Sequence, residues 1–301
     1  MDSALEFGLQ GLFTWLNGLL IPEGAVETKM AELNYVSLFI CLFLAISRVL
    51  SGGQKILVAT GLPFSNGQKT EVIDSQDSTV TCQLPDYPKE MNDGAGGIIN
   101  SKTVLICEGR INGGENIGDC YSLKANREWT KVANLNAARY GMSTGNLVID
   151  GSLWISGGYD ASYSDLDSIE WVDEDGVKEA TNVRLPFEIY GHCSIQIDNN
   201  TIVTTGGYSG YRNKKDTHIL NLNTQQWSTG PVLNQGRNRH GCGRVTIGSK
   251  KFALVTGGWD DLNGFEFLDL DDLNGKWTNG NVIIYYLIFN QFDTNVISFQ
   301  V

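Results

Sequence analysis

The chain has 301 residues, 35 of them glycine and only 6 proline, with 42% hydrophobic and 19% charged residues. That is too apolar for disorder, and no Gly-X-Y period exists, so collagen is excluded. With 34 acidic against 22 basic residues the net charge is -12, which argues against nucleic acid as a partner, since phosphate binding needs clustered Lys and Arg.

Residues 1–29 read as a leader or gene-model extension, with Leu5, Leu9, Leu12, Phe13, Leu16 and Leu19 on one helical face. Residues 30–52 hold the uncharged run Val36–Ile46, followed by Arg48. Eleven residues are short for a ~30 Å bilayer but match the apolar core of a secretory signal in a chain started at Met30. The alternatives are an uncleaved anchor over Leu33–Leu50, which would be the one membrane span, or a buried helix in a cytoplasmic protein. The expected localisation is therefore secreted or extracellular.

A repeat fills residues 54–280. Five short apolar strands end in glycine at 61, 109, 158, 207 and 258, spaced 48, 49, 49 and 51 residues. A second strand follows each of them after a loop. Trp129, Trp227 and Trp277 keep the same beat, and the unit near residue 178 lacks its Trp. A further strand opens near Gly94, Gly141, Gly191 and Gly241. Units of about fifty residues with four antiparallel strands cannot bury a face alone and stack as the blades of a β-propeller. Inner strands crowd the axis, where glycine fits. The tryptophans are expected as wedges between blades.

The pairs Gly157-Gly158, Gly206-Gly207 and Gly257-Gly258, with Tyr121 and Trp129, Trp227 and Trp277 in the later places, resemble the kelch repeat. The resemblance implies an all-β, kelch-type propeller of about five blades. Four are complete, at about 94–139, 140–188, 189–238 and 239–280, and one (54–93) lacks its innermost strand. Truncation from a six-bladed relative is the leading explanation, and closure would otherwise need a strand from the tail, such as Val282–Phe289. The tail 281–301 has no clear alternation and is either a strand or foreign sequence.

Candidate chemistry is thin. Some kelch propellers are copper-radical oxidases using tyrosines and histidines, but this chain has only His192, His218 and His240. Two of them on adjacent blades, His192 and His240, could meet near Cys193 and Cys242; blade-to-blade packing is the preferred reading. No metal-ligand spacing or nucleophile motif supports catalysis, so no metal, no cofactor and no enzyme activity are expected. Cys107 and Cys120, on consecutive strands of one blade, form a candidate disulfide for an oxidising compartment. Asn199 heads a glycosylation sequon in a predicted turn.

What remains is a surface. The loops after the glycines carry Arg110, Tyr159, Asp160, Tyr163, Tyr208, Tyr211, Arg212, Trp259 and Asp260. Tyr, Trp and Arg anchor interfaces, so the expected function is a non-catalytic protein-interaction module. The weaker alternatives are a ubiquitin-ligase adaptor propeller without its BTB domain and the copper-oxidase-like enzyme.

Overall fold

The computed structural model describes three short strands between 55 and 81, then residues 85–280 except 101–102, 112–114, 124–127, 144, 146, 180–182, 248 and 260–263. The expected leader 1–29, the signal or anchor 30–52 and the tail 281–301 with its Val282–Phe289 strand lie outside the described residues.

Four antiparallel sheets of four strands each form the blades of a β-propeller. Blade 1 holds Ala95–Ile99, Thr103–Cys107, Asp119–Leu123 and Trp129–Asn134. Blade 2 holds Val148–Ile149, Ser152–Ser156, Ile169–Asp173 and Gly176–Glu179. Blade 3 holds Cys193–Asp198, Thr201–Thr205, Thr217–Asn221 and Gln226–Thr229. Blade 4 holds Gly241–Ile247, Lys250–Thr256, Phe265–Asp269 and Thr278–Asn279. Ahead of them Lys55–Ala59, Thr70–Asp74 and Val80–Thr81 pair as a three-stranded sheet, as expected for the incomplete unit.

Local chemistry sets the register. In blade 2 the first turn is Asp150-Gly151, with φ of 49° and 78°. Two central residues of positive φ make the turn type whose twist matches a hairpin, and Ile149 accordingly pairs with Ser152. Second strands are apolar on both sides because each lies between neighbouring blades, as in Ser152–Ser156, where Leu153, Trp154 and Ile155 are all buried.

The core therefore sits between blades. Leu105 and Cys107 of blade 1 cluster with Leu153 and Ile155 of blade 2. Trp154 and Ile169 of blade 2 cluster with Ile202 and Leu220 of blade 3. Val203 of blade 3 clusters with Ala253, Val255 and Trp277 of blade 4.

The landmark residues earn their places through these junctions. Buried Trp277 donates its indole N–H to Thr217 Oγ1 of blade 3 at 3.2 Å and to Pro231 O at 2.9 Å. Trp129 makes the equivalent bond to Pro85 O at 3.1 Å. Trp227 pairs with Leu220 as Trp129 does with Leu123, and in blade 2 that place is taken by Val177, opposite Val172.

The glycine pairs are points of close approach. A Cβ on Gly157 would lie 2.5 Å from Ile189 O and 2.7 Å from His192 Cε1 of the next blade. Gly206 is similarly hemmed in by Arg237 O and His240 Cε1, both at 2.6 Å. A Cβ on Gly257, in blade 4, would meet nothing within 4 Å among the described residues. Close packing against the following blade thus accounts for glycine at 157 and 206, while at 257 its positive φ of 68° favours it.

Candidate functional site

In each blade the linker that enters the inner strand meets the residue that follows the glycine pair or, in blade 1, Glu108-Gly109. Asn92 pairs with Arg110, Tyr140 with Tyr159, and Tyr190 with Tyr208. In blade 4 Trp259 N–H donates to Asn238 O at 3.0 Å. The next linker residues, Asp93, Gly141, Gly191 and Arg239, touch in succession. Gly141 N–H donates to Asp93 O at 3.1 Å, Gly191 N–H to Gly141 O at 2.6 Å, and Arg239 N–H to Gly191 O at 2.6 Å. All four are left-handed, with φ of 55°, 63°, 62° and 53°. The side chains of the two end members meet: Arg239 Nη2 donates to Asp93 Oδ2 at 2.7 Å across 146 residues of sequence.

Around this ring lies a belt of tyrosines. Ring centroids are 6.2 Å apart for Tyr163–Tyr159, 5.5 Å for Tyr159–Tyr140, 5.5 Å for Tyr159–Tyr190 and 5.3 Å for Tyr190–Tyr208. Such tilted and edge-on contacts suit the ring quadrupoles. Arg110 stacks its guanidinium 5.4 Å from the Tyr140 centroid, and Arg239 does so 5.3 Å from that of Trp259.

The electrostatics follow from burial. Burial first, then the neighbouring phenol of Tyr140, pushes Tyr190 up to about 12, and burial also raises Tyr140. Both phenols stay protonated at physiological pH and can donate hydrogen bonds. Burial raises the Asp93 carboxyl too, against the opposing pull of Arg239 and Arg110. Burial alone would raise Asp160, but hydrogen bonds from Ser164 and Ser162 outweigh it and hold the carboxyl low.

The predicted rim residues separate into three groups. Tyr163, Tyr211 and Trp259 are 82%, 96% and 66% exposed. Tyr163 and Tyr211 stand at loop tips with φ of 65° and 62°, a conformation unusual for a bulky side chain. Arg110 and Arg212 are also exposed. Tyr159 and Tyr208 are half-buried in the belt. Asp160 builds its own loop, accepting from Ser162 N at 2.9 Å, Ser162 Oγ at 2.8 Å and Ser164 N at 3.0 Å. Asp260 lies outside the described residues.

Sequence reasoning missed Asp93, Tyr140, Tyr190 and Arg239, which complete this face. Tyr140 and Tyr190 were legible as aromatic residues directly before Gly141 and Gly191. Asp93 and Arg239 carry no local motif.

Cys107 and Cys120 form the expected disulfide, as directly opposed residues with Cα atoms 4.0 Å apart. A second disulfide, Cys193–Cys242, joins the inner strands of blades 3 and 4. Its 49-residue separation equals the repeat spacing, which was the available signal. Asn199 is exposed in the turn between Asp198 and Thr201.

The histidines join blades. His192 Nε2 lies 3.0 Å from Ser156 Oγ of blade 2, and His240 Nε2 lies 2.9 Å from Thr205 Oγ1 of blade 3. Burial pushes both down to about 3, aided at His240 by Arg237 and His192, so both stay neutral. His218 lies apart, packed on the Phe187 ring at 4.6 Å. Among the described residues no cluster of three or more His, Cys, Asp or Glu is placed to hold a metal ion.

The sequence matches no protein-family model and no curated protein.

Proposed function

We propose that the chain is a kelch-type propeller whose face of tyrosines, arginines and Trp259 binds a protein partner, without catalysis, in an oxidising, secretory compartment. The kelch reading rests on glycine pairs at the ends of second strands, aromatic residues directly after them, and tryptophans in or directly before fourth strands. Two disulfides within about 200 residues support the compartment, because cytosolic thiols are kept reduced.

One observation carries the binding role. Among the described residues the exposed large apolar side chains are Ile98, Tyr163, Tyr211, Val232 and Trp259. The three aromatic ones all sit on loops that follow a glycine pair, two of them on backbone that is strained for tyrosine. Holding apolar rings in water on unfavourable backbone gives the isolated chain nothing. In a partner's pocket, rings of this kind with adjoining arginines are the side chains that dominate binding energy.

Oxidative footprinting of the full chain tests this reading, with and without extracellular fluid from the source organism. Protection concentrated on Tyr163, Tyr211 and Trp259 is the expected result. Unchanged labelling there, with protection elsewhere on the chain, would refute the assignment of this face.

A further inference from the structure

The four left-handed residues of the axial ring are an internal control on what the fold demands at that place. In the middle of the series it takes glycine, Gly141 and Gly191, whose conformation at φ above 60° is free of a Cβ penalty. At the first and last places it carries Asp93 and Arg239 instead. Aspartate tolerates this conformation through its short polar side chain, but arginine gains nothing from it. The charges therefore stand where the series begins and ends, and the backbone alone does not require them there.

Those two places differ from the middle in one respect. Blades 1 and 2, 2 and 3, and 3 and 4 are each joined by the chain itself and by a ring hydrogen bond. Blade 4 and blade 1 are not consecutive, each four-stranded sheet takes its strands from one stretch of the chain, and among the described residues no sheet is shared between them. The Asp93–Arg239 ion pair bridges this junction at 2.7 Å. The Asp93 side chain is 6% and the Arg239 side chain 17% exposed. The same guanidinium stacks on Trp259, one of the exposed aromatic residues of the face.

We infer that Asp93 and Arg239 form a clasp that joins the first blade to the fourth across the seam and, through Arg239, holds Trp259 in position. The link to partner binding rests on the role proposed above for Trp259, whereas the clasp itself does not.

The two halves of the clasp are unequal. Asp93 is the more buried half, and its Oδ1 makes no hydrogen bond among the described residues. Its ionised form is poorly solvated in the closed ring and depends chiefly on Arg239, with Arg110 the weaker second cation. Removing Arg239 leaves a buried charge without its hydrogen-bonded partner, the costly way to break such a pair. Asparagine at 93 keeps an acceptor for Arg239, suits the left-handed backbone and removes the charge. The clasp is a positioning device, and the two single substitutions are expected to behave differently.

The test uses the full chain without any partner. Hydrogen exchange is read at the Arg239 and Gly141 amides. Acrylamide quenching of Trp259 is read as the difference between each variant and the same variant carrying Trp259→Phe. Arg239→Gln is expected to speed exchange at Arg239 about tenfold, the scale of coupling between neighbouring charges, and to expose Trp259 further. Asp93→Asn is expected to stay within about twofold of the parent at both amides. The double variant is expected to regain most of the protection lost in Arg239→Gln, because no charge is then left unpaired. Arg239→Lys keeps the charge, and it is expected to restore ring protection but not Trp259 quenching.

Parent-like behaviour of Arg239→Gln would overturn the clasp, as would equal loss in both single variants with no recovery in the double. If Arg239→Gln fails to fold, Arg239→Lys decides: parent-like quenching of Trp259 there would overturn the positioning role. A protected ring with a silent face in footprinting would leave the clasp standing and remove only the partner-binding reading.

Discussion

Blades 2 and 4 solve one packing problem with a buried Arg–Glu pair, and blades 1 and 3 solve it with apolar and aromatic side chains. Two residues before the axial ring, blades 2 and 4 bury Arg139 and Arg237, while blades 1 and 3 bury Met91 and Ile189. Opposite the second residue before the glycine pair stand Glu170 and Glu266 in the first set, and Tyr121 and His218 in the other. The charged blades use these groups in the same way. Arg139 donates to Glu170 and to the carbonyls of Gly157 and Ser168, and Arg237 to Glu266 and to those of Gly257 and Gly264. Each glutamate accepts from two linker amides, Asn136 and Ala137 or Asn234 and Gln235.

Blade 1 packs Tyr87 on Tyr121 at 5.6 Å and buries Glu108, which replaces the first glycine, against Lys89 at 3.3 Å. Blade 3 packs Phe187 on His218. The fold needs that space filled and the linker polar groups satisfied; an ion pair is one way among several.

The sharpest break of this comparison is removal of one partner. Glu170→Ala is expected to cost about 3–5 kcal/mol, because Arg139 is left buried without its carboxylate. The double variant Arg139→Met, Glu170→Tyr, which copies blade 1 into blade 2, is expected to fall within about 2 kcal/mol of the parent, since apolar replacement of a whole buried pair is tolerated. Urea midpoints of the two variants decide it. Equal losses would mean that blade 2 requires the charge.

Next in size are the two disulfides, one within blade 1 and one between blades 3 and 4. They close separations of 13 and 49 residues. Chain entropy predicts about 3 kcal/mol for the shorter and about 4 for the longer. Cys242→Ala is expected to lower thermal stability more than Cys120→Ala, and the reverse order would show that strain outweighs loop length.

The glycine comparison is smaller. Gly157→Ala pushes a methyl against Ile189 O and the His192 ring, whereas Gly257→Ala meets none of the described residues and carries the positive-φ cost of about 1 kcal/mol. The first is expected to be clearly the more damaging by denaturant melts.

The remaining effect is in pH. The buried His192 and His240 bind protons more weakly in the folded chain, at about 3, than in the unfolded one, at about 6.5. Their contribution is therefore whole above pH 6.5 and declines as pH falls toward 3, by about 1.4 kcal/mol per pH unit for each histidine. A His192→Gln, His240→Gln variant is expected to flatten that slope between pH 6 and 4.5, the window read by stability titration.

Most of the architecture was legible because the repeat writes it on neighbouring residues. Glycine pairs, turn residues such as Asp150-Gly151 and the tryptophans act within one blade. Cys107 and Cys120 lie on adjacent strands, and their opposition follows from a single hairpin. What was not legible acts between blades. Cys193–Cys242 needs two inner strands to be neighbours, the Arg–Glu pairs recur only in alternate blades, and Asp93 meets Arg239 only when the first blade lies by the fourth. Composition pointed to the aromatic face, but which tyrosines are buried in the belt and which are presented depends on loop geometry that no motif encodes.

The role of that face is tested most directly by affinity for the partner purified from the extracellular fluid that protects it. Dissociation constants would be measured for the parent, for Tyr163→Ser, Tyr211→Ser, Trp259→Ala combined, and for Ile98→Ser, Val232→Ser combined, which removes exposed apolar side chains lying off the glycine-pair loops. The account predicts at least about a hundredfold loss for the aromatic variant, as for hot-spot residues, and near-parent affinity for the other. Equal affinities in all three would contradict it.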